Sequence, residues 1–256
     1  MARARLDRLL VERGLFESRA KARAAIEAGG VTVSRVVVAQ PAALVDASAP
    51  IEATPAHDFV GRGALKLAHA LATWPIRVEG RVVLDLGAST GGFTEVALRA
   101  GAALVYAVDV GRGQLHPKLV GDPRVVSLEA TDARILTREL IVQTPEVIVC
   151  DLSFISLTKA LGPSLALAAS GADLVALVKP QFEAGRALVG KGGVVRDPEA
   201  RRAAVEAVEN FVADAGWTVR GRTPSPITGR DGNVEFLVWA SGPARPTSAT
   251  SVTEAL

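Results

Sequence analysis

The sequence predicts an α/β protein: a mostly parallel sheet covered by helices, preceded by a small basic module of mixed α and β structure. Three observations carry this. From residue 81 onward, apolar runs of strand length alternate with helical patterns. Within that region VVLDLGASTGGF (82–93) reads as a buried strand ending in an acid, a glycine-rich turn and a helix start, which together cradle a ligand at the carboxyl edge of a sheet. The charge is also unevenly divided. Residues 1–40 hold eight Lys/Arg against four acids, leaving 21 basic and 23 acidic residues elsewhere, so the N-terminal stretch is +4 and the remainder −2. A basic module on a near-neutral body points to a polyanionic partner.

Composition narrows the classes further. The 256 residues are 49% hydrophobic, enough for a sizeable core. A single cysteine, Cys150, excludes an internal disulfide. With three scattered histidines it also argues against a Cys/His zinc site, so no metal is expected. The N-terminus MARARLDRLL lacks the apolar core of a signal peptide. The longest weakly charged segment, 160–178, contains Gly162, Pro163 and Asp173 and reads as a helix and a strand, not a membrane span. The expectation is a soluble, cytoplasmic protein without a membrane partner.

In chain order, Leu6, Leu9 and Leu10 mark a short amphipathic helix closed by Gly14, and Ser18 caps a second over about 19–28 that ends at Gly29-Gly30. VTVSRVVV then reads as a small hairpin. Residues 41–60, with Pro41, Pro50 and Pro55, are expected to form a linker. A helix follows through GALKLAHAL, with Leu65, Leu67, Leu71 and Trp74 near its apolar side and Lys66 in its first turn, where a lysine is ordinarily solvated. Seven strands are then predicted near 82–86, 103–108, 124–128, 146–150, 173–178, 217–223 and 234–240. Helices are predicted near 92–100, 112–120, 134–141, 155–169 and 198–215, the last opened by Asp197-Pro198-Glu199. The tail ASGPARPTSATSVTEAL is small and polar and is expected to be disordered.

Three ligands compete for the glycine turn. A dinucleotide site requires G-x-G-x-x-G, and the close-approach glycine is here Ser89. A phosphate loop is nearly matched by GRALVGKG (185–192), but Gly192 replaces the Mg²⁺-binding Ser/Thr and the motif lies beyond its strand. S-adenosylmethionine, a nucleoside carrying a cationic sulfonium and no phosphate, calls for acids at successive strand ends. Asp85, Asp109 and Asp132 occupy those places.

Other charged residues converge on the same edge. Asp151 ends the fourth strand and Lys179 the fifth, so both open onto the ligand crevice. Glu235 opens the seventh; if that strand runs antiparallel beside the fifth, its start lies beside Lys179. With Lys66, two amines and two carboxylates would neutralise one another while holding one amine near an incoming hydroxyl. Neighbouring charge and burial tune such an amine toward base catalysis.

Two resemblances follow from these motifs. RLDRLLVERGLFESRAKARAAIEAGGVTVSRVVV is similar to an S4-type RNA-binding module through Arg5-Leu6-Asp7, Ser18-Arg19, Ile26 and Val31/Val33. The Lys-Asp-Lys-Glu set resembles that of the FtsJ-like ribose 2′-O-methyltransferases. Together with GRGALKL, CDLSFISL and VKPQFEAGRALVGKGGVVRDPEAR, the chain from about 3 to 240 resembles the TlyA family of ribosomal RNA 2′-O-methyltransferases.

The resemblance implies a Rossmann-like methyltransferase fold, a seven-stranded sheet with the last strand antiparallel, behind a small α+β S4-like domain. Its expected bounds are 1–45 for the S4-like domain, 46–61 for the linker, 62–240 for the methyltransferase domain and 241–256 for the tail. It implies S-adenosylmethionine as cofactor and methylation of cytidine ribose in 16S and 23S rRNA of ribosomal subunits, linked to capreomycin and viomycin susceptibility. Lys66, Asp151, Lys179 and Glu235 match the catalytic set. Gly63, Asp85, Gly87, Ser89, Gly91, Gly92, Phe93, Asp109 and Asp132 match the cofactor pocket, while Gly61 departs from the serine expected there. Arg3, Arg5, Arg19, Lys21, Arg23, Arg62, Arg186, Lys191 and Arg196 are the expected RNA contacts. The rival reading is a noncatalytic ribosome-binding factor with a methyltransferase-like body.

Overall fold

A computed structural model describes residues 2–229 and 231–244. The expected disordered tail therefore lies largely outside the described residues. The chain divides into two compact units, 1–62 and 63–256.

The first unit runs β1 (Arg3–Arg5), α1 (Leu6–Glu12), α2 (Arg19–Glu27), β2 (Val31–Val33), β3 (Val36–Val37), β4 (Leu44–Asp46) and β5 (Ile51–Ala53). Leu6, Leu9 and Leu10 of α1 bury against Ala22, Ala25 and Ile26 of α2, with Phe16 and Val31 completing the core. Gly14, at φ 70°, takes the left-handed position that ends α1. Ser18 caps α2 by accepting the Lys21 N–H at 3.3 Å. The β2–β3 hairpin turns through Ser34 and Arg35, both left-handed (φ 51° and 65°), the backbone of a type I′ turn.

Here the expected linker requires correction. β4 pairs antiparallel with β1, and β5 pairs antiparallel with β2, so 44–53 belong to the small unit's own sheets. The prolines mark turns between very short strands, which are too brief for a two-residue period to register. Strand β1 was likewise absent from the sequence reading.

The second unit opens with α3 (Ala64–Thr73) and continues β6 (Val82–Leu86), α4 (Gly92–Arg99), β7 (Leu104–Val108), α5 (Pro117–Val120), β8 (Val125–Leu128), β9 (Val147–Cys150), α6 (Leu157–Ala160), α7 (Gly162–Leu167), β10 (Asp173–Val178), α8 (Pro180–Glu183), α9 (Pro198–Asp214), β11 (Thr218–Pro224) and β12 (Phe236–Ser241). The sheet order is β11-β12-β10-β9-β6-β7-β8. The chain moves from β6 to β7 and β8 on one side, then returns to β9 and β10 on the other. The reversal beside β6 opens a crevice at the carboxyl edge.

β12 inserts antiparallel between β10 and β11, with Phe236 opposite Val178, as the sequence anticipates. The inner strands are enclosed on both sides: all five residues of β6 and all four of β9 are buried, while the edge strand β11 alternates with exposed positions. Leu84, Ile148 and Leu174 are fully enclosed, each contributing about 2 kcal/mol of burial.

Three predicted helices are shorter than expected. The 112–120 helix contracts to α5 because Gly111 and Gly113 favour loop backbone and Glu129 accepts the N–H groups of Gly113, Gln114 and Leu115. The 134–141 helix is a single 3₁₀ turn over 133–135. The 155–169 helix is broken at Leu161, which ends α6 and caps α7, and Pro163, lacking an N–H, sits in the first turn of α7. Helix α9 begins as predicted, with Asp197 accepting the Glu199 N–H at 3.0 Å and Pro198 in the first turn.

Because Ser34 and Arg35 each carry the left-handed strain of an L residue, replacing the pair by Asn-Gly should stabilise the first unit by about 1 kcal/mol. A rise in its urea midpoint at unchanged slope is the expected result; an unchanged or lower midpoint would contradict the turn assignment.

Candidate active site

Four charged side chains distant in sequence meet at the carboxyl edge of the large sheet. Lys66 comes from the first turn of α3, Asp151 follows β9, Lys179 follows β10, and Glu235 immediately precedes β12. Lys66 Nζ donates to Glu235 Oε2 at 2.6 Å and lies 3.6 Å from Asp151 Oδ2. Lys179 Nζ lies 2.6 Å from Asp151 Oδ1 and donates to Ser153 Oγ at 2.8 Å. Asp151 thus stands between both amines. Side-chain exposures are 7% for Lys66, 8% for Lys179, 18% for Asp151 and 3% for Glu235, so the group is nearly dry and sums to zero charge. A buried ion taken singly costs several kcal/mol, and only mutual pairing makes this arrangement tenable. Lys66 is therefore not the solvated first-turn lysine that its local sequence suggests.

The glycine turn sits one strand away. Gly87 (φ 81°) passes so close to the β9 end that a Cβ there would lie 2.8 Å from the Asp151 carbonyl oxygen. Gly91 (φ 92°) is sealed by Leu119, whose Cδ1 would meet a Cβ at 2.1 Å. Ser89 is also left-handed, at φ 47°. Gly92 opens α4, and Phe93 buries behind it at 3% exposure.

Asp85 is wholly enclosed. Its Oδ2 accepts the Thr94 hydroxyl at 2.6 Å, while Oδ1 has no hydrogen-bond partner. Burial pushes its carboxyl up to about 7, against the pull of the Thr94 hydroxyl, with Asp151 and Asp109 adding like-charge repulsion. An orphaned buried acceptor beside a backbone-walled glycine cradle fits a cationic ligand with donors of its own. That is the chemistry of a sulfonium and its amino-acid tail.

The remaining acids are placed differently. Asp109, past the end of β7, accepts Ser89 N–H at 2.8 Å and Gly111 N–H at 2.7 Å, so it first of all shapes the turn. Each of its oxygens retains further accepting capacity toward the crevice. Asp132 caps the 133–135 turn and is held low by the Arg134 guanidinium at 2.6 Å, an assignment more structural than ligand-facing. At Gly63 a Cβ would stand 3.5 Å from Asp151 Oδ2, which places that glycine against the charged quartet rather than the glycine turn.

Arg186, Lys191 and Arg196 are exposed on the loop after β10. In the first unit Arg3, Arg5, Arg19 and Arg23 are exposed and Lys21 half-buried, while Arg62 is exposed at that unit's end. Arg19 and Arg23 do not form one free basic face: Arg19 pairs with Asp7, Arg23 with Glu27, and Lys21 with Glu17.

Several supporting residues were not singled out from sequence. Ser153 accepts from Lys179. Glu183 clamps the 151–157 loop by accepting Ser156 Oγ at 2.6 Å and Leu157 N–H at 2.8 Å. Between them Phe154, left-handed and 91% exposed, meets the Phe182 ring at a centroid distance of 5.3 Å. Asn233, almost fully buried, accepts Val195 N–H and donates to the Gly193 carbonyl, tying the 190–195 loop beside Glu235. Ser153 and Phe154 lie in CDLSFISL, Glu183 in VKPQFE and Asn233 just before Glu235, but nothing in their local pattern marks a bridge between loops. Cys150 is fully buried, and burial pushes its thiol up to about 12, which removes it from nucleophilic chemistry.

The fold and this edge define a class: a methyltransferase built on the S-adenosylmethionine-binding α/β sheet, behind a small S4 module. The FtsJ-like methyltransferase family matches residues 59–241, and the S4 domain matches 4–51. The chain is 49% identical to the 16S/23S rRNA (cytidine-2′-O)-methyltransferase TlyA of Mycobacterium tuberculosis, over 93% of this chain and 89% of that protein. It is 42% identical to Hemolysin A of Brachyspira hyodysenteriae, over 91% and 98%. A candidate hemolysin of Streptococcus thermophilus, of solved structure, superposes with a TM-score of 0.75 at 39% identity, over 98% of this chain and 93% of that one. The chain belongs to the TlyA family and is a methyltransferase.

The raised Asp85 carboxyl has a sign-specific consequence. Below about pH 4 it is protonated folded and unfolded; between about 4 and 7 the unfolded chain releases the proton first, so wild-type stability falls as pH rises. Asp85→Asn escapes this, and its stability advantage should grow to at most about 4 kcal/mol by pH 8. Urea titrations of both proteins from pH 4 to 8 read the difference directly. A constant difference would show that Asp85 does not ionise as described.

Proposed function

We propose that the protein methylates the ribose 2′-hydroxyl of cytidine in 16S and 23S rRNA, with S-adenosylmethionine as methyl donor and ribosomal subunits as substrate. The carrying observation is the charge-balanced, nearly dry Lys66–Asp151–Lys179–Glu235 group beside the glycine turn. The M. tuberculosis relative's named activity supports the nucleotide and both RNAs.

When bound, the cofactor supplies an electrophilic methyl on a cationic sulfur, which leaves as a neutral thioether. The backbone of Gly87 to Gly91 and the carboxylates of Asp85 and Asp109 are the groups suited to hold it. Lys179, once its ammonium has released a proton to water, is placed to accept the proton of the 2′-hydroxyl as that oxygen bonds to the methyl carbon. Asp151, at 2.6 Å, then holds the resulting ammonium, and the proton passes to water. Lys66 and Glu235 complete the charge balance, keeping Asp151 from drawing a second proton or an adventitious cation. Positioning in a water-poor pocket supplies the rest of the rate. No metal enters this mechanism.

Exposed arginines on the first unit and the basic loop after β10 are suited to phosphate contacts and would make substrate binding salt-sensitive. Methylation at those sites would link the protein to capreomycin and viomycin susceptibility. No helix among the described residues is long and apolar enough to cross a membrane.

Incubation with S-adenosylmethionine and each ribosomal subunit, followed by primer extension at low dNTP, should reveal ribose methylation. Lys179→Ala should lower the rate by a factor on the order of 10² to 10⁴, the range for removing a positioned acid–base group. Equal methylation by the two proteins would refute the role given to Lys179. Absence of methyl gain in either subunit by wild type would favour a noncatalytic ribosome-binding factor.

A further inference from the structure

In the first unit, two arginines from separate elements converge on one buried acid. Arg5, at the end of β1, donates from Nε and Nη2 to Asp7 Oδ1 and Oδ2, both at 3.1 Å. Arg19, the first residue of α2, donates from Nη2 to the same Oδ2 at 2.7 Å. The Asp7 side chain is 0% exposed, whereas those of Arg5 and Arg19 are 43% and 55% exposed. Other basic residues of the unit are arranged differently: Arg8, Lys21 and Arg23 pair with exposed glutamates four residues away, and Arg13 donates to the carbonyls of Ala47 and Ala49.

We infer that Asp7 is a positioning residue that holds Arg5 and Arg19 as a two-guanidinium clamp for a backbone phosphate of structured RNA; this rests on the reading of the first unit as an RNA-binding module. A buried ionised carboxylate is a poor way to stabilise a small core, since apolar replacements usually do as well or better. What it does accomplish here is conformational. A free arginine has rotamer entropy to lose on binding, and tethering to Asp7 removes much of that loss beforehand. Both Nη2 atoms lie within hydrogen-bond reach of one carboxylate oxygen, so the two forks are held close enough to address a single phosphate. Each guanidinium keeps N–H donors that Asp7 does not use, on side chains 43% and 55% exposed, and guanidinium donors suit phosphate oxygens. The triad's net charge is +1, which favours an anion over a neutral ligand.

The inference predicts an effect opposite in sign to simple electrostatics. Asp7→Asn removes a negative charge near the phosphate, so charge alone requires tighter RNA binding. Loss of the tether instead requires weaker binding. The test is filter binding of the full chain to a 23S rRNA transcript over a KCl series, for wild type, Asp7→Asn, Arg5→Ala, Arg19→Ala and Arg5→Lys. Asp7→Asn should weaken binding about tenfold, and Arg5→Lys, which keeps the charge without the fork, should do so comparably. Combining the two should add little beyond either alone, because both break the same clamp.

Wild-type or tighter binding by Asp7→Asn, with folding intact by circular dichroism, would overturn the inference. If Asp7→Asn fails to fold, Arg5→Lys decides, and its binding like wild type would be equally fatal. Should Arg5→Ala and Arg19→Ala also bind normally, the RNA-facing reading of this surface falls with it. If they weaken binding while Asp7→Asn and Arg5→Lys do not, only the positioning role falls.

Discussion

The large unit depends on one carboxylate shared by two amines. Asp151 faces Lys179 at 2.6 Å and Lys66 at 3.6 Å, and Glu235 supplies the second negative charge that Lys66 needs. Each member makes the burial of the others tolerable. Removing one leaves an uncompensated charge in a nearly dry site, a defect worth about 3–5 kcal/mol in comparable buried pairs. The constraint reaches into the topology. Three of the four groups sit at the ends of β9 and β10 and the start of β12, and the antiparallel insertion of β12 is what turns Glu235 toward this edge.

Next to this balanced group lies a deliberately unbalanced one. Asp85 is enclosed with one oxygen unpartnered, and Gly87 has backbone where a side chain would stand. An enclosed acid of this kind is suited to a cationic ligand. One edge of the sheet therefore presents two electrostatic environments: a neutral group suited to moving a proton, and an acid in want of a positive partner. The S4 unit pairs its own buried acid internally, with Arg5 and Arg19 holding the Asp7 carboxyl down to about 2.

Much of this was legible in the sequence because strands announce their own ends. Asp85, Asp151 and Lys179 each follow an apolar run too short for anything but a buried strand, and a parallel sheet brings such ends to one edge. Glu235 required only the added inference of an antiparallel last strand. Lys66 was legible through resemblance alone, since a lysine among leucines on a helix gives no local sign of burial. What escaped was cross-loop bonding. Ser153, Glu183 and Asn233 act between segments far apart in sequence, and no periodicity records that. The strands at 3–5, 44–46 and 51–53 escaped for a different reason: three residues cannot display alternation, and prolines nearby suggest a linker instead.

The partnership of Lys66 with Glu235 spans 169 residues of chain. During synthesis the lysine emerges with the first helix of the large unit, while its glutamate follows only after nearly every other strand has been made. Until then α3 has no complete partner set to bury its charge against. A nascent or truncated chain ending before β12 thus lacks both the strand that joins β10 to β11 and the carboxylate that pairs with Lys66. Any chain that stops upstream of Glu235 leaves Lys66 without the carboxylate to which it donates.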